Sequence, residues 1–485
     1  MPTLEKNAQH ILELLKKAGH EAYFAGGFVR DKILKRKTHD IDIATSAKPT
    51  EVIKILEKNS IKHLEIGAAF GVIAAVIGKQ MFEIATFRED HGTTDHRHPA
   101  SVTLGVTAQE DALRRDFTIN GMFASSTAIK NKDAVIDYVA GLQDIQDKTI
   151  RFIGEPEERI KEDALRLMRA IRFATQLNFY IEDITWNAIR KHASDINTVS
   201  SERIRDELNK ILLSENAAAG FVMLKDSGLL HEIMPEFDPA ESTAQPPNHH
   251  AEGNVWNHIL LTLRNMHMRP ALQDKNATIR NKAKKDIVFY WSVLMHDVAK
   301  PHTVTYPEKG SDDRIRFSGH DSVGATMATD IMKRLKFSND DIDKVAWLVK
   351  FHLLQGTIPK MREARRLKYL GHPYFGDLLE LFWVDANSSL LSKNGKILPP
   401  NLSAYFRNVK FYKEALANSK NKKILPKKIV DGHIIMKAMG ISRGTKEVGE
   451  IMNALYDMQL EKKFKNKKEG LVTLEAYLKK QKKNK

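Results

Sequence analysis

The chain has 485 residues, of which 42% are hydrophobic and 28% are charged. A chain of this length exceeds what a single hydrophobic core supports, so the sequence predicts several folded domains. The formal net charge of +15 favours a polyanionic partner such as nucleic acid, because each phosphate contact releases counterions. The alternative is a basic tail alone, since lysine and arginine are concentrated near the C-terminus.

The composition also excludes some classes of protein. There is no cysteine, which excludes disulfides and thiolate catalysis. The first twenty or so residues follow an amphipathic helical pattern and not that of a signal peptide. No apolar run approaches the roughly 18 residues that a membrane helix needs. We therefore expect a cytoplasmic protein without a membrane partner.

Strand-like and helix-like segments alternate in the first 150 residues. A strand is expected before the Gly26-Gly27 turn and a helix after it, and HDIDIATSA (39–47) predicts a short strand. The segment 70–87 predicts a hairpin of two buried strands around Gly78. The polar run FREDHGTTDHRHPASV (87–102) shows no apolar periodicity and predicts a mobile loop.

The remainder of the chain is predicted to be helical. The run PEERIKEDALRLMRAIRFATQL (156–177) places apolar residues at three- and four-residue steps. A shift in composition at 239–253 marks a linker or loop, and another shift falls near 393–401. The lysine-rich end predicts a flexible charged tail. We expect four regions, at 1–150, 151–238, 239–400 and 401–485.

Two aspartates in the predicted short strand are the first candidates for chemistry. Asp40 and Asp42 are two residues apart, so in a strand their carboxylates project onto one face. Two carboxylates at such a short distance repel each other unless a cation lies between them. This indicates a Mg²⁺ pair for phosphoryl transfer. Glu83 on a later strand is a possible third ligand. The alternative is a solvent-facing edge strand with acidic residues.

A glycine pair precedes these aspartates by some ten residues. Gly26 and Gly27 stand between a predicted strand and a helix that carries Arg30. Glycines at such a turn let the backbone approach a triphosphate, and the helix N-terminus adds N–H donors. An ordinary tight turn is the alternative, but the glycine pair followed by the aspartate pair is far more specific than either alone.

Four ordered motifs carry a resemblance to a known family. The run YFAGGFVRDKILKRKTHDIDIATSAKP (23–49) resembles the signature of class II nucleotidyltransferases, the CCA-adding enzymes and bacterial poly(A) polymerases. EDALRRDFTINGM (110–122), GLQDIQDKTIRFIG (141–154) and EDALRLMRAIRFA (162–174) resemble the later motifs of that family. The resemblance is dense from about residue 20 to 235.

The resemblance implies an α+β fold with four functional regions. Residues 1–150 would form a polymerase beta-like catalytic head with a small mixed sheet, and an all-α body would follow. In that body, 151–238 would be a neck for nucleobase recognition and RNA binding, 239–400 an HD domain, and 401–485 a basic tRNA-binding tail.

The resemblance also implies roles for residues of the second motif. Arg115 and Asp116 would hold the ribose and select its 2′-hydroxyl, and Asn120 would support the nucleotide. A surface charge cluster is the alternative.

The fourth motif bears on base choice. Asp163 and Arg166 are three residues apart, so on one helix they would share a face. An acceptor beside a donor matches the pairing edges of cytosine and adenine, and mismatches those of guanine and uracil. Arg169 and Arg172 would serve phosphates or packing. The alternative for the first two residues is an ordinary helical ion pair.

A second resemblance lies in the predicted helical body. His258, the pair His296-Asp297 and Asp385 follow the ordered pattern of the HD metal-dependent phosphohydrolases. Imidazole and carboxylate ligands suit Mn²⁺, Co²⁺ or Ni²⁺. His320 and His352 lie outside that pattern and are additional candidate ligands or phosphate contacts. Each histidine alone is more often a core residue, so the ordered set carries the argument.

The tail resembles the C-terminal RNA-contacting segment of HD-containing members of the family. The turn from Gly440 to Gly444 could present Arg443 to a phosphate, and the lysines after residue 461 would attract RNA.

The sequence thus predicts an Mg²⁺-dependent enzyme that adds CCA, or its terminal A, to tRNA from CTP and ATP. A poly(A) polymerase, an HD phosphohydrolase with a non-catalytic RNA-binding head, and a purely structural RNA-binding protein are the alternatives. The run REDHGTTDHRHP (88–99) resembles a flexible loop of full CCA-adding enzymes, which disfavours CC addition alone.

Overall fold

The computed structural model describes residues 4–38, 40–93, 99–127, 134–267, 286–308, 314–419 and 423–483. The chain forms two compact units, one of 1–238 with 334–336 and one of 239–333 with 337–485. The finer division into four regions stays a prediction. In the described part of the chain, no helix combines the length and the apolar composition that a membrane span requires.

A mixed sheet organises the first unit. Seven strands follow the order β3-β4-β5-β2-β1-β8-β9. β2 and β5 run parallel, and the neighbouring pairs in the rest of the sheet are antiparallel. The strands of the unit are β1 (Ala22–Ala25), β2 (Asp42–Thr45), β3 (Lys62–Gly67), β4 (Val72–Ile77), β5 (Gln80–Thr86), β6 (Arg88–Thr93), β7 (Pro99–Leu104), β8 (Phe123–Ala124), β9 (Val135–Ile136), β10 (Thr149–Ile150) and β11 (Tyr180–Ile181).

Helices make up most of the rest of this unit, and the predicted α+β head with a helical body is confirmed. The first helix buries one apolar face, as its pattern predicts: Ala8, Ile11, Leu12 and Leu15 are buried. The helices are α1 (Leu4–Lys17), α2 (Gly27–Ile33), α3 (Pro49–Lys58), α4 (Ala108–Leu113), α5 (Gly141–Gln146), α6 (Pro156–Glu162), α7 (Leu165–Leu177), α8 (Asp183–Lys191), α9 (Ser201–Leu212), α10 (Ala217–Asp226) and α11 (Leu229–Ile233).

The segment after β5 differs from the prediction of a loop. β6 and β7 form an antiparallel hairpin in which Arg88 lies opposite Leu104 and Asp90 opposite Val102. The ladder is made by backbone groups, which pair whatever the side chains are. The apolar residues of the hairpin lie mainly in its second strand, so the polar first strand gave no alternating signal. Residues 94–98 lie outside the described residues.

The predicted continuous helix over 156–177 is interrupted. α6 ends at Glu162 and α7 begins at Leu165. Between them Asp163 is extended, with φ −151° and ψ 102°. Its carboxylate accepts a hydrogen bond of 3.1 Å from the backbone N–H of Leu165, in the first turn of α7. An aspartate can satisfy such orphan donors at a helix start, which competes with helix continuation at this position.

The second unit is almost wholly helical. Its most apolar helix, α13, is buried along its length from Val288 to Met295. The elements are α12 (Val255–Asn265), α13 (Ile287–Met295), α14 (Lys300–Thr303), β12 (Val304–Thr305), β13 (Arg316–Phe317), α15 (His320–Arg334), α16 (Asn339–Phe351), α17 (Glu363–Leu370), α18 (Phe375–Ser388), β14 (Leu391–Lys393), β15 (Lys396–Leu398), α19 (Ser403–Ala417), α20 (Gly432–Met439), α21 (Lys446–Leu460) and α22 (Lys467–Lys483).

The basic C-terminus is ordered where a flexible tail is predicted. Leu474 is 1% exposed in α22, and it belongs to a core cluster with Phe464 and Leu455. Tyr477 and Leu478 pack against the same cluster. Their spacing from Leu474 by three and four residues forms an apolar stripe inside the lysine-rich run, and its burial outweighs the polar composition.

A close backbone contact accounts for the glycine that begins the third motif. A Cβ at Gly141 would lie 2.9 Å from Met122 Cγ and closer still to the carbonyl oxygen of Thr118. That carbonyl belongs to the turn Thr118–Asn120. The glycine therefore lets α5 pack directly on the turn that carries Asn120.

We expect Gly141→Ala to destabilise the first unit by about 1–3 kcal/mol, because the added methyl must displace backbone and not a mobile side chain. Thermal unfolding followed by calorimetry measures the change. Gly449→Ala is the matched control: apart from the neighbouring backbone of its own helix, no atom of the described residues lies within 4 Å of the added Cβ. This glycine is inside α21, where alanine favours a helix, so the control should lose no stability. Equal stability of both variants would contradict the packing described here.

Candidate active site and metal centre

A carboxylate cluster lies at the end of the two parallel strands. Asp42 is the first residue of β2, and Asp40 precedes it by two positions. Ile43 pairs with Ile84 in β5, so the register places Glu83 beside Asp42 on the neighbouring strand. Asp40 lies just before the strand and not within it, which refines the predicted i, i+2 strand geometry. The three predicted carboxylates are thus gathered at one edge of the sheet.

The negative charges of these three carboxylates are only partly balanced by positive charge nearby. Burial, then the charges of Glu83 and Asp40, raise the pKa of Asp42 to about 6, and Arg115 opposes the shift. The Asp42 side chain is exposed within the cleft that it lines, and the surrounding cleft walls remove part of its hydration. Oxygen ligands of this kind suit hard divalent cations, whose charge would relieve the repulsion. The residues therefore fit a divalent metal ion.

The glycine turn brings backbone against this cluster. Gly26 has φ +66°, and a Cβ there would lie 3.3 Å from Arg115 Nη1 and 3.9 Å from Asp42 Oδ2. Gly27 follows as the first residue of α2. Arg30, on the same helix, is 8% exposed and donates a 2.7 Å hydrogen bond to Asn120 Oδ1. The predicted nucleotide-binding residues Gly26, Arg30 and Asn120 therefore lie next to one another, Gly26 in the turn and Arg30 on the helix that follows it.

One buried carboxylate that the sequence interpretation missed orders the second motif. Asp111 is 1% exposed; its Oδ1 accepts from Arg114 at 2.6 Å and its Oδ2 from Arg115 at 2.9 Å. Arg114 also donates to the carbonyl of Arg88 at the base of the β6–β7 hairpin, at 3.0 Å. The spacings of three and four residues from Asp111 were the available signal. Asp111 thus joins the hairpin to the predicted ribose site.

Asp116 is held by a different arginine. Arg169 donates to its Oδ2 at 2.8 Å, and Asn120 donates to its Oδ1 at 3.1 Å. Burial alone would raise the pKa of Asp116, but Arg169, Arg166 and these hydrogen bonds lower it to about 2. Arg115 and Asp116 are therefore not paired with each other. They are held separately, each by a partner of opposite charge.

The predicted base-choosing pair does not share one helix. Asp163 lies in the break before α7, and Arg203 of α9 donates to its Oδ2 at 2.7 Å. Arg166, in the first turn of α7, donates to Glu162 at 2.5 Å. The prediction that both residues project from one helical face was wrong, because the backbone changes direction at Asp163. Arg203 and Glu162 are partners that the sequence interpretation missed.

These groups, apart from Glu83 and the buried Asp111, line a single cleft of about 860 Å³ in the first unit. Arginines and lysines outnumber carboxylates along its wall, which suits a triphosphate and an RNA end. Its lining includes Gly26, Gly27, Arg30, Asp40, Asp42, Arg115, Asp116, Asn120, Asp163, Arg166, Arg169, Arg172 and Arg203.

A second cluster of polar groups lies in the core of the second unit. His258 on α12 places its Nε2 3.3 Å from His296 Nε2 and 3.3 Å from Asp385 Oδ1. Asp297 Oδ2 lies 3.4 Å from the first of these nitrogens and 3.3 Å from the second. All four predicted HD residues therefore converge on one point, although they come from three separate helical segments.

A second group of imidazoles adjoins the first through the same aspartate. Asp297 Oδ1 lies 3.4 Å from His320 Nε2 and 3.7 Å from His352 Nε2. The two Nε2 atoms are 3.3 Å apart. The side chains form two groups of three, and the ligand atoms of each group have the spacing of metal ligands. One group is His258, His296 and Asp385; the other is Asp297, His320 and His352. His320 and His352 thus lie with the predicted ligands.

Contacts with backbone carbonyls indicate which ring nitrogen carries the proton in three of these imidazoles. In the neutral rings, the Nε2 atoms that face one another carry no proton. Three imidazoles of the centre place Nδ1 within hydrogen-bond distance of a backbone carbonyl three residues earlier. Because a carbonyl only accepts, the neutral ring carries its proton on Nδ1 and directs the Nε2 lone pair inward. The pairs are His296 with Val293 at 2.8 Å, His320 with Phe317 at 2.6 Å, and His352 with Val349 at 2.6 Å.

Asp297 combines an oxygen that lacks a hydrogen bond with a positive charge nearby. Its Oδ2 is buried and accepts no hydrogen bond of good geometry, although the Lys300 ammonium lies 2.7 Å away. Burial alone would raise the pKa of this carboxyl, but His296 and Lys300 hold it well below its usual range. A buried carboxylate facing imidazole lone pairs fits a transition-metal ion. Lys300, three residues after Asp297, was missed in the sequence, where only that spacing pointed to it.

Three regions of the chain match models of known domains. Residues 22–151 match the "Poly A polymerase head domain", and residues 178–241 match the "Probable RNA and SrmB- binding site of polymerase A". Residues 258–377 match the "HD domain". These domains follow the order that the motifs predict.

Solved structures share the fold over nearly the whole chain. The CCA-adding enzyme of Bacillus stearothermophilus, solved in complex with CTP, aligns over 100% of both chains with a TM-score of 0.67 and 22% identity. The Thermotoga maritima CCA-adding enzyme, complexed with tRNA, covers 98% of this chain and 95% of that one, with a TM-score of 0.55 and 18% identity.

Sequence relatives give the family. The CCA-adding enzyme of Limosilactobacillus reuteri is 39% identical over 242 residues, which are 50% of this chain and 58% of that protein, so the match spans little more than half of the relative's length. The match to the CCA-adding enzyme of Lactobacillus johnsonii is longer, at 36% identity over 303 residues, 61% of this chain and 73% of that protein. The resemblance of the four motifs is thereby confirmed, and the chain belongs to the family of CCA-adding enzymes.

Proposed function

We propose that this protein adds CCA, or its terminal A, to the 3′ end of tRNA from CTP and ATP without a template. The observation that carries the proposal is the carboxylate cluster around Asp42 at the end of a cleft rich in arginine. The names of the relatives and the CTP and tRNA complexes of the solved neighbours support it. We also infer a cytoplasmic location, because tRNA is the proposed substrate.

Asp40 and Asp42, with Glu83 beside them, are the proposed ligands of Mg²⁺. When bound, the metal would neutralise the carboxylates and stabilise charge on the transferring phosphoryl group. The chain's own part is positioning. The Gly26 turn, Arg30 and Arg115 border the carboxylates and would orient the triphosphate and ribose, with Asp111 fixing the direction of the Arg115 guanidinium.

Base choice is assigned to Asp163 and Arg166. Each oxygen of Asp163 already accepts one hydrogen bond, from Leu165 N–H and from Arg203, and each retains a second lone pair for an exocyclic amine. Arg166 uses one nitrogen toward Glu162 and has further N–H groups to donate to a ring nitrogen. CTP and ATP satisfy both residues, whereas UTP and GTP present like groups to them.

A second function is proposed for the HD centre because Asp297 lies between its two ligand groups, with Oδ2 near His258 and His296 and Oδ1 near His320 and His352. The centre would hold Mn²⁺, Co²⁺ or Ni²⁺. Its proposed ligands are His258, His296, Asp297 and Asp385, and His320 and His352 adjoin them. When bound, such ions supply an activated water for hydrolysis of phosphoesters. Lys300 would add a positive charge next to the phosphoryl group. The substrate class is a phosphomonoester or a 2′,3′-cyclic phosphate.

Asp42→Ala and Asp40→Ala should lower nucleotide addition by at least ~1000-fold, on the order of 4 kcal/mol of barrier, because each removes a proposed metal ligand. Incorporation of labelled CTP into a tRNA that lacks its 3′ end measures the rate. RNA binding should persist. Glu57→Ala, at an exposed glutamate of α3, is the matched control and should be fully active. Activity of either aspartate variant within about tenfold of the natural protein would refute the assignment.

Asp163→Ala and Arg166→Ala should relax base selection as well as slow incorporation. An unpaired buried polar group costs about 1–3 kcal/mol, so discrimination against UTP and GTP should fall by roughly 10- to 100-fold. Single-nucleotide incorporation with each of the four nucleotides on one acceptor measures it. Glu158→Ala, at an exposed position of α6, is the control. Selectivity equal to that of the natural protein in both variants would assign Asp163 and Arg166 to structural support alone.

His296→Ala and Asp297→Ala should spare nucleotide addition but abolish metal-stimulated phosphate release, because the proposed second centre lies in the other unit. Hydrolysis of a 2′,3′-cyclic phosphate and of a phosphomonoester with Mn²⁺, Co²⁺ or Ni²⁺ is the measurement. His433→Ala, at an exposed histidine of the same unit, is the control. Absence of hydrolysis by the natural protein with all three metals would leave the centre a structural one.

A further inference from the structure

A buried glutamate lies directly behind the proposed HD ligands. The side chain of Glu252 is 4% exposed. Its Oε1 lies 2.9 Å from His258 Nδ1 and 2.7 Å from His250 Nδ1. Glu252 is absent from the ordered histidine and aspartate pattern by which the centre is recognised in the sequence, so its position is a finding of the structure.

The contact with His258 differs from those of the neighbouring imidazoles. His296, His320 and His352 each fix Nδ1 on a carbonyl of their own segment, three residues earlier. His258 instead uses the carboxylate of Glu252, six residues earlier. To ligate a metal through Nε2, a neutral imidazole must carry its proton on Nδ1, and a carboxylate accepts that proton's hydrogen bond without offering a donor in return.

The other oxygen of Glu252 holds a second part of the centre. Its Oε2 accepts a 2.9 Å hydrogen bond from the backbone N–H of Leu390, just beyond the helix that carries Asp385. The carbonyl of Leu390 in turn accepts from the N–H of Ala251 at 2.8 Å. One carboxylate therefore connects the segment before His258 with the segment after Asp385, and those two ligands lie 3.3 Å apart.

The same three residues could instead form a cation site of their own, since ligand atoms of His250, Glu252 and His258 lie close together. Two observations oppose that reading. The Nε2 of His258 already faces His296, Asp297 and Asp385, so a second ion on Nδ1 would require the ring to lose both protons. A single oxygen of Glu252 also lies at hydrogen-bond distance from both Nδ1 atoms, which indicates two donors converging on one acceptor.

We propose that Glu252 is a positioning residue of the HD centre, which sets the tautomer and orientation of His258 and so determines how tightly the centre binds a transition metal. The inference rests on the metal centre proposed above. Partners of this kind typically change metal affinity by about 10- to 100-fold when they are removed.

The test is titration of the full-length protein with Co²⁺ in an excess of Mg²⁺, which occupies sites made of oxygen ligands. Calorimetry gives affinity and stoichiometry, and the visible absorption of bound Co²⁺ reports its coordination. Glu252→Ala should bind Co²⁺ about 10- to 100-fold more weakly, with an altered spectrum. Glu252→Gln should recover part of the loss, because its amide oxygen can accept from His258, whereas its amide NH₂ is a donor and cannot accept from the N–H of Leu390. Thermal unfolding verifies that each variant is folded.

His250→Ala is the matched control, because it removes the neighbouring imidazole but leaves the contact between Glu252 and His258. Its Co²⁺ affinity should stay within about threefold of the natural protein's. Loss of one Co²⁺ equivalent in this control would show a cation site at His250 and overturn the proposal. Unchanged affinity and spectrum in both Glu252 variants would overturn it while leaving the metal centre in place. If the natural protein bound no Co²⁺, the centre and the role of Glu252 would fail together.

Discussion

At both candidate centres the fold brings together groups that repel one another. The surrounding structure must hold these groups in place. In the first unit, burial and the charges of Glu83 and Asp40 raise the pKa of Asp42 to about 6. In the second, the Nε2 atoms of His320 and His352 lie 3.3 Å apart, and their lone pairs face each other when both rings are neutral with Nδ1–H directed at the backbone. A folded chain tolerates such contacts only where the rest of the fold holds them in place. A bound cation removes the repulsion, which is why both centres are interpreted as metal sites.

Charge pairing gives the cleft of the first unit its order. Asp111 holds Arg114 and Arg115, and Asp116 is held by Arg169 and Asn120. Because these groups are already paired and largely buried, a nucleotide would meet donors and acceptors whose directions are fixed. Such preorganisation reduces the entropy lost on binding and supports selection by hydrogen-bond matching. Under the proposed function, two side chains would then take the place of a nucleic-acid template.

Much of the fold could be predicted from local patterns. The glycine turn before α2, the hairpin around Gly78 and the amphipathic α1 all have signals within a few residues of themselves. Three features of the fold have no such local signal in the sequence. The β6–β7 hairpin is held by backbone pairing that polar side chains conceal. The break at Asp163 depends on a hydrogen bond to Leu165 N–H, and the order of α22 depends on packing against residues of preceding segments.

The candidate sites divide in the same way. The order of the motifs identified the carboxylates, the arginines and the HD residues, since these types and spacings have few other uses. It could not identify Asp111, Arg203, Glu252 or Lys300, because their importance lies in which atoms they contact across the fold. Arg203 and Asp163 are 40 residues apart in sequence, and no pattern of spacing links them.

The most direct test of the central claim is to size the products formed on a tRNA that lacks its 3′ CCA, with each nucleotide supplied singly and in pairs. CTP alone should extend the tRNA by two nucleotides, and CTP with ATP by three, after which extension should stop. If only the terminal A is added, a tRNA that already ends in CC should gain one nucleotide from ATP and none from CTP. UTP and GTP should give no product. A long adenosine tail, or no extension of either tRNA with any nucleotide, would contradict the proposed function.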